Sequence, residues 1–409
     1  MKVAVVGAGI GGLAASWRLG ARHEVTVFER HASPGMAVHG VRIGDGPDAP
    51  RVDVPLRVFY PGYYPQLTAL YRETGVDTEP VDYSTTFTDP AGRVVFGYRN
   101  LRAGPFTLPV PAGRRVLRRR GLRILRDFLR FRRRGLGGTA GRTIGALLED
   151  ERYSPEFVRD FLLPAFATIC TCTYDNVLTF PADHVVEYLS RGVLLTSVRR
   201  ARGGADEVVR RLAGRARLRC GVDLRAIRRG EGCVELVVDG ATERFDHVVV
   251  ATQANHALRL LADASATERR TLEAVRYDSV EVVTHTDEAL LPPQRADWAP
   301  VNLLVSPAHD RPMSTIWMNA VQSALRNAAP VFQTVHPLVE PAASKVLARH
   351  RFERSVVDVA SRQALYDLAA LHRERDRRVW FCGSYARPGI PLLESAVASS
   401  DALLAALSR

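Results

Sequence analysis

The stretch that most constrains this 409-residue chain is its first 29 residues, MKVAVVGAGIGGLAASWRLGARHEVTVFE. KVAVV (2–6) is a short, uninterrupted apolar run of the kind buried on both faces in parallel sheets. Gly7-Ala8-Gly9-Ile10-Gly11-Gly12 follows at once, then the helix-compatible LAASWRLG, then a second strand-like run, EVTVF, closed by Glu29. In such a unit Gly7 permits the tight turn, and Gly9 lets a pyrophosphate approach the backbone. Gly12 allows helix and strand to pack closely, and Glu29 is placed to accept from a ribose hydroxyl. Three glycines alone occur in many loops. Strand, turn, helix, strand and acid in this order predict a dinucleotide-binding βαβ unit.

Net charge points elsewhere until it is located. The chain carries +12, of which residues 114–135 (RRVLRRRGLRILRDFLRFRRRG) supply +10 through eleven arginines and Asp127 alone. The high charge is therefore local, and no nucleic-acid module or base-stacking motif accompanies it. All basic residues except Lys2 and Lys345 are arginine, a bias that reads as base composition. Hydrophobic content of 46% and charged content of 24% are those of a globular chain with a sizeable core. The five cysteines (170, 172, 220, 233 and 382) form no CxxC pair, so neither a disulfide framework nor a metal site is expected. No apolar run reaches spanning length, and a cytoplasmic protein is expected.

Two later segments extend the pattern. FDHVVVATQANHALRLL (245–261) reads as a strand with an Ala251-Thr252 turn. RRVWFCGSYARPGIPLLESAVASSDALLAAL (377–407) reads as a strand ending near Gly383, a loop, and an alanine-rich helix. With the N-terminal fingerprint, these resemble flavoproteins of the amine oxidase and phytoene desaturase superfamily, in its predicted NAD/FAD-binding, amine-oxidase-like branch. RVDVPLRVFYPGYYPQLTALYRETGV (51–76), FLLPAFATICTCTYDNVLTFPADHVVEYL (161–189) and RGGADEVVRRLA (202–213) look like further landmarks, so the resemblance runs end to end.

The resemblance implies FAD, held by Gly7 to Gly12, Glu29, Arg30, Gly35, Met36, Pro55, Leu56, Arg57, Val222, Ala251, Gly383, Ser384, Pro391 and Leu392. Val222 falls where relatives contact the adenine, and the segment from Gly383 to Leu392 where they cover the ribityl chain and isoalloxazine. A helix N-terminus there can stabilise charge on the reduced ring. Two departures stand out. Where relatives place two glycines and a basic or imidazole side chain, this chain reads Pro34-Gly35-Met36-Ala37-Val38. Pyrophosphate neutralisation then falls to backbone N–H groups and Arg30. Where relatives often read Asp-Thr-Gly, this chain has Asp53-Val54-Pro55-Leu56-Arg57, and the Arg57 guanidinium is a candidate to stabilise a reduced flavin or hold an anionic substrate group.

The fold class expected is α/β: a Rossmann-type FAD-binding domain with an α+β substrate domain inserted. Residues 1–60, 200–265 and 345–409 are assigned to the first, 61–199 and 266–344 to the second. GLGGTAG (135–141) follows a charged helix, not a strand, and reads as a linker, so no second nucleotide unit is expected. Flavin chemistry needs little acid–base machinery. The candidate catalytic residues are Arg57, Tyr60 and Tyr385, from an aromatic set that includes Phe59, Tyr63, Tyr64, Tyr174, Trp317 and Trp380. The reading is an oxidoreductase acting on an apolar acyl, polyene or polyketide chain, with a flavin amine oxidase as the alternative and a flavin-bound scaffold as a third. On a helix, Leu117, Gly121, Ile124, Phe128 and Phe131 share one face, and Gly121 weakens it enough that two shorter helices are an option. The arginines of 114–134 then form a solvated face, or a contact for an anionic membrane or an acidic carrier protein presenting the substrate.

Overall fold

The structure, a computed structural model, describes residues 1–46, 49–103, 106–112, 119–191 and 196–407. Five parallel strands form the nucleotide sheet, in the order Arg217–Cys220, Glu24–Glu29, Lys2–Val6, His247–Val250 and Val379–Phe381. The period-2 alternation of the first strand divides the core. Val3 and Val5 face one side; Ala4 and Val6 face the other, with Phe28, Val248 and Val250. The first side is covered by the helix Ile10–Leu19 and by the C-terminal helix Leu393–Leu407, which pack on each other. The second is covered by a three-stranded antiparallel sheet, Leu224–Arg229, Val234–Val238 and Ala241–Phe245, whose Phe245 ring meets Phe28 edge-on at 5.7 Å.

The second sheet has eight strands, ordered Val346–Ser355, Tyr277–His285, Phe332–Val335, Met313–Trp317, Val301–Leu304, Thr85–Thr88, Val94–Ala103 and Phe106–Pro111. It is antiparallel except where Val301–Leu304 runs alongside Thr85–Thr88. One expected boundary moves. Residues 345–355 were assigned to the nucleotide domain, yet Val346–Ser355 pairs along its length with Tyr277–His285. Its alternating inward and exposed residues are those of a half-covered edge strand, not of the continuous apolar run a parallel nucleotide sheet needs. The chain returns to the nucleotide sheet only at Val379. Residues 135–141 join two helices through turns and contain no strand, in keeping with a linker.

The basic stretch is one helix over its described part, Arg119–Arg133. Leu117 and the arginines before Arg119 lie outside the described residues. Gly121, Ile124 and Phe131 are buried as the face predicts, and Gly121 does not divide the helix because it sits in the packed face. Asp127, the single acid, is fully buried and accepts the Ser154 N–H at 2.8 Å. Residues 151–160 supply acids against the arginines: Arg120 pairs with Asp160 (2.8 Å), Arg123 with Glu156 (2.5 Å) and Arg134 with Glu151 (2.6 Å). Part of the charge concentrated in sequence is thus offset in space.

The sheets are tied together at residues 51–56. The buried Gln333 side chain, from the middle of the eight-stranded sheet, donates to the Asp53 carbonyl (3.0 Å) and accepts the Leu56 N–H (2.7 Å). The Asp53 carboxylate accepts the Ala205 N–H (2.9 Å) and lies 3.4 Å from Arg200, which also pairs with Glu79 at 2.7 Å. Arg200 is 1% exposed, Glu79 5% and Asp53 9%. Removing one member of such a buried network strands the others' charge, at about 3–5 kcal/mol, whereas an exposed pair is worth about 0–1 kcal/mol. Arg200→Met is therefore expected to lower unfolding stability in urea by several kcal/mol. Arg225→Met, whose partner Asp223 is solvated, is expected to leave the midpoint nearly unchanged.

Candidate nucleotide and substrate site

Gly7 adopts φ +103°, a conformation side chains rarely tolerate, and its N–H donates to the Phe28 carbonyl at 2.8 Å. A Cβ on Gly12 would stand 2.0 Å from the Gly7 carbonyl oxygen, so helix and turn touch backbone to backbone. Gly9, by contrast, faces open space, with no atom within 4 Å of where its Cβ would be. It precedes the helix Ile10–Leu19, whose first N–H groups have no carbonyl partners within the helix. This is a cradle shaped for an anion: shut at Gly12, open at Gly9 and lined by N–H donors.

Glu29, 5% exposed, closes the second strand as expected. Each carboxylate oxygen takes one backbone N–H, from Ala8 (2.9 Å) and from His31 (3.0 Å). The acid therefore orients the turn, and each oxygen keeps a lone pair for a hydroxyl. Gly35 is required beside it, since a Cβ there would come within 2.8 Å of Glu29 Oε2, and the Met36 N–H reaches the Ala8 carbonyl at 3.3 Å. The Val222 N–H donates to the Glu29 carbonyl at 3.2 Å, and Ala251 abuts Gly7. Arg30 is exposed, with its Nε donating to His31 Nε2 at 3.3 Å.

Residues far apart in sequence supply the imidazole rings absent from the Gly35-Met36-Ala37 stretch. The His39 ring lies 5.8 Å from His31, 4.7 Å from His350 and 5.0 Å from Phe352. Burial, then the neighbouring charges of His350, His31, Arg57 and Arg30, push the His39 imidazole down to about 4. Sequence inspection missed His31, His39 and His350. The alternation of RHRFERS, which turns His350, Phe352 and Arg354 to one face, was the available signal.

The C-terminal segment meets this cradle. A Cβ on Gly11 would sit 3.4 Å from the Ala396 carbonyl oxygen and 3.6 Å from the Gly383 Cα. Gly383 has φ +147°, packs on the Tyr385 ring, and donates its N–H to Ser399 Oγ at 2.9 Å. Ser384 and Pro391 line a small pocket with Tyr385, and Leu392 leads into the final helix. Glu394 in its first turn accepts the Gln66 and Leu67 N–H groups, both at 3.0 Å, and so ties this helix to the aromatic segment 59–71. Pro55, in a cis peptide bond with Val54, and Leu56 form the clamped turn. Arg57 follows it, half-buried, and lines a pocket with Met36, Phe59, Tyr71, Gly204 and Leu393.

The two candidate tyrosines lie apart. Tyr60 packs edge-on against Tyr188 at 6.3 Å, within a cluster that holds Tyr63, Tyr64 and Phe166. Tyr385 belongs to the other apolar cluster, with Phe381 and Leu368, and its buried hydroxyl has no hydrogen-bond partner. Trp380 is a nucleotide-sheet residue against His247, and Trp317 packs on Trp298 at 5.7 Å. Cys382 is buried and its thiol is pushed up to about 12, which disfavours the thiolate. Among the described residues no group of three or more His, Cys, Asp or Glu side chains could hold a metal ion.

The description "NAD(P)-binding Rossmann-like domain" matches residues 5–74. Solved structures with the same architecture include a fatty acid isomerase from P. acnes that produces CLA, with TM-score 0.70, 16% identity and 98% coverage of both chains. Another is a putative protoporphyrinogen oxidase from Exiguobacterium sp., with TM-score 0.67, 15% identity, and coverage of 100% of this chain and 99% of that one. Cyclohexylamine oxidase from Brevibacterium oxydans gives TM-score 0.67 and 14% identity over 100% and 99% of the two chains. The chain shares the fold of these three proteins. No curated protein matches the sequence. At these identities the likeness establishes architecture, and the glycine cradle with Glu29 fits a dinucleotide on its own geometry.

Four histidines, His39, His285, His336 and His372, are each pushed down to about 4, with burial the leading cause. They are neutral in the folded chain and regain an ordinary value near 6.5 on unfolding, so the unfolded state binds more protons between these limits. Stability is then full above about pH 6.5 and falls as pH drops toward 4. Thermal unfolding across this range is expected to show that decline, with a shallower slope for His285→Asn, which keeps a polar group beside Thr334.

Proposed function

We propose that the chain is an FAD-dependent oxidoreductase acting on an apolar substrate, such as an unsaturated acyl, polyene or polyketide chain, by dehydrogenation or double-bond isomerisation. The observation that carries this reading is the seating of Gly383 and Ala396 against Gly11. It brings a second glycine turn and a second helix start to the dinucleotide cradle, where a redox ring attached to the nucleotide would extend. When bound, the flavin supplies the hydride acceptor. The chain's own part is to bind, orient and exclude water. Gly7 to Gly12 and Glu29 would hold the nucleotide end, Arg30 would balance phosphate charge, and Arg57 and residues 383–394 would meet the ring. The Phe59, Tyr60, Tyr63, Tyr64 and Tyr188 cluster offers an aromatic wall, and burial raises the Tyr60 and Tyr188 phenols well above their ordinary range, which keeps them neutral.

The purified protein is expected to be yellow. Gly12→Ala, which forces a Cβ against the Gly7 carbonyl, is expected to lose the flavin absorbance while circular dichroism reports a folded chain. A native protein that binds no flavin would contradict the reading. Anaerobic mixing with unsaturated fatty acids and with primary amines separates it from the amine oxidase alternative. Bleaching by amines alone would favour that alternative, to which the likeness to cyclohexylamine oxidase lends support.

The delivery surface belongs to the same proposal. The helix Arg119–Arg133 turns Leu122 and Leu129 outward between Arg119, Arg126 and Arg133, and Leu101, Phe106 and Leu108 are exposed on the nearby hairpin. The two elements meet at Phe161, whose ring contacts Phe96 (5.4 Å) and Phe128 (5.5 Å). Exposed leucines among arginines fit an anionic membrane surface better than an acidic carrier protein. No helix among the described residues is long and apolar enough to cross a membrane. Co-sedimentation with vesicles containing phosphatidylglycerol is expected, weaker in high salt. Arg119→Glu, Arg126→Glu and Arg133→Glu together should abolish it, and equal binding to neutral phosphatidylcholine vesicles would contradict the surface.

A further inference from the structure

A cavity opens where three segments remote in sequence meet: the helix Ala182–Ser190, the stretch leading into the helix Val359–Leu371, and the loop after Gly383. With its open mouth it encloses about 360 Å³. Val356, Leu365 and Pro391 give it apolar walls, and His184 and Tyr385 line it as well. A concave, mostly apolar space with a few polar groups is the make-up of a small-molecule site. His184 stands one helical turn before Tyr188, on the same face of its helix. Tyr188 packs on Tyr63 at 4.7 Å, and the Tyr63 hydroxyl accepts the Ile390 N–H at 3.4 Å. The cavity therefore adjoins the aromatic wall along the loop 384–391.

His184 is 7% exposed and Tyr385 8%. His184 Nδ1 and the Tyr385 hydroxyl are buried, and neither has a hydrogen-bond partner among the described residues. Burial lowers the imidazole below its ordinary value and raises the phenol well above its own, so both are neutral at pH 7. A buried polar atom without a partner destabilises a fold, and leucine and phenylalanine would fill these two places without that cost. An imidazole and a phenol on one otherwise apolar cavity are thus left for a group that arrives from outside. Two guanidiniums also line it. Arg362 is paired with Asp183 at 3.1 Å, while Arg387, exposed, has no acid within 4 Å among the described residues. The surplus positive charge disfavours an amine. A carboxylate or ketone only accepts hydrogen bonds. A hydroxyl both donates and accepts, and so completes Tyr385 and His184 whichever imidazole nitrogen carries the proton.

We infer that this cavity is a binding subsite for an apolar alcohol, whose hydroxyl takes the Tyr385 phenol and the His184 imidazole as partners while its chain lies against Val356, Leu365 and Pro391. This inference deepens the proposed function by naming a hydroxyl-bearing chain as the ligand. It rests on that reading for placing the alcohol beside a flavin, but not for the binding.

The test is calorimetric titration of the purified protein with 1-octanol, heptyl methyl ether, octanoate and octylamine. Octanol is expected to bind at least about fivefold more tightly than the ether, which matches it in size but has no O–H to donate. Tyr385→Phe and His184→Leu should each remove most of that preference. Because the Tyr385 hydroxyl has no partner in the free protein, Tyr385→Phe should also leave the thermal midpoint unchanged or raised. A hydroxyl with a structural role would not give that combination. Tyr366→Phe, at an exposed position, should change neither quantity. Equal binding of octanol and ether by the wild-type chain, or no binding of either, overturns the inference. So does a preference that survives both variants, or tighter binding of octanoate or octylamine than of octanol. A lower thermal midpoint for Tyr385→Phe overturns the assignment of its hydroxyl to the ligand. Absence of flavin defeats the proposed reaction but leaves the alcohol-over-ether preference to be measured, so the two failures are distinguishable.

Discussion

A short backbone segment, residues 51–56, ties the two sheets together, and the rest of the site depends on how it is held. Gln333 offers one amide to the carbonyl of Asp53 and the N–H of Leu56, satisfying both ends of a turn that no strand could pair. Buried backbone groups need partners, and here a side chain supplies them. The same turn presents the Asp53 carboxylate to Arg200 and Ala205 on one side and sends Arg57 to the other. Nucleotide cradle, aromatic wall and eight-stranded sheet therefore share a single rigid joint.

Charge is distributed by the same logic. The arginine-rich helix looks in sequence like a polycation, yet residues 151–160 fold back with Glu151, Glu156 and Asp160, which pair with Arg134, Arg123 and Arg120. What reaches solvent is a mixed stripe of leucine and arginine. Inside the protein the order reverses: Asp53, Glu79 and Glu268 are engaged by arginines. A surface cation costs little unpaired, whereas a buried one costs several times more, so the internal carboxylates are the ones that hold the fold.

The nucleotide half was legible because each of its demands is local. Gly7 needs a positive φ, Gly12 needs no Cβ, and Glu29 needs only to end the strand that begins twelve residues after the turn. The substrate half was legible less often. Tyr60 and Tyr385 were paired on sequence proximity to cofactor segments, but their rings fall in separate clusters. The strand Val346–Ser355 was placed in the wrong sheet because sheet membership depends on which edge is vacant, a property of the assembled fold. His39 and His350 are more than 300 residues apart, and no spacing rule joins them.

By itself the sequence determined the βαβ turn, the alternation that splits the nucleotide core, and the concentration of positive charge between residues 114 and 135. Each is set by neighbours within a helical turn, a strand or a glycine backbone, where sterics and hydrogen bonding act over a few residues. Tertiary structure alone decided that Gly383 and Ala396 close on Gly11, and that acids from the next segment pair with Arg120, Arg123 and Arg134 of the basic stretch. Those outcomes depend on which distant groups remain to satisfy a buried charge or carbonyl once the chain has packed, and the linear order of residues does not carry that information.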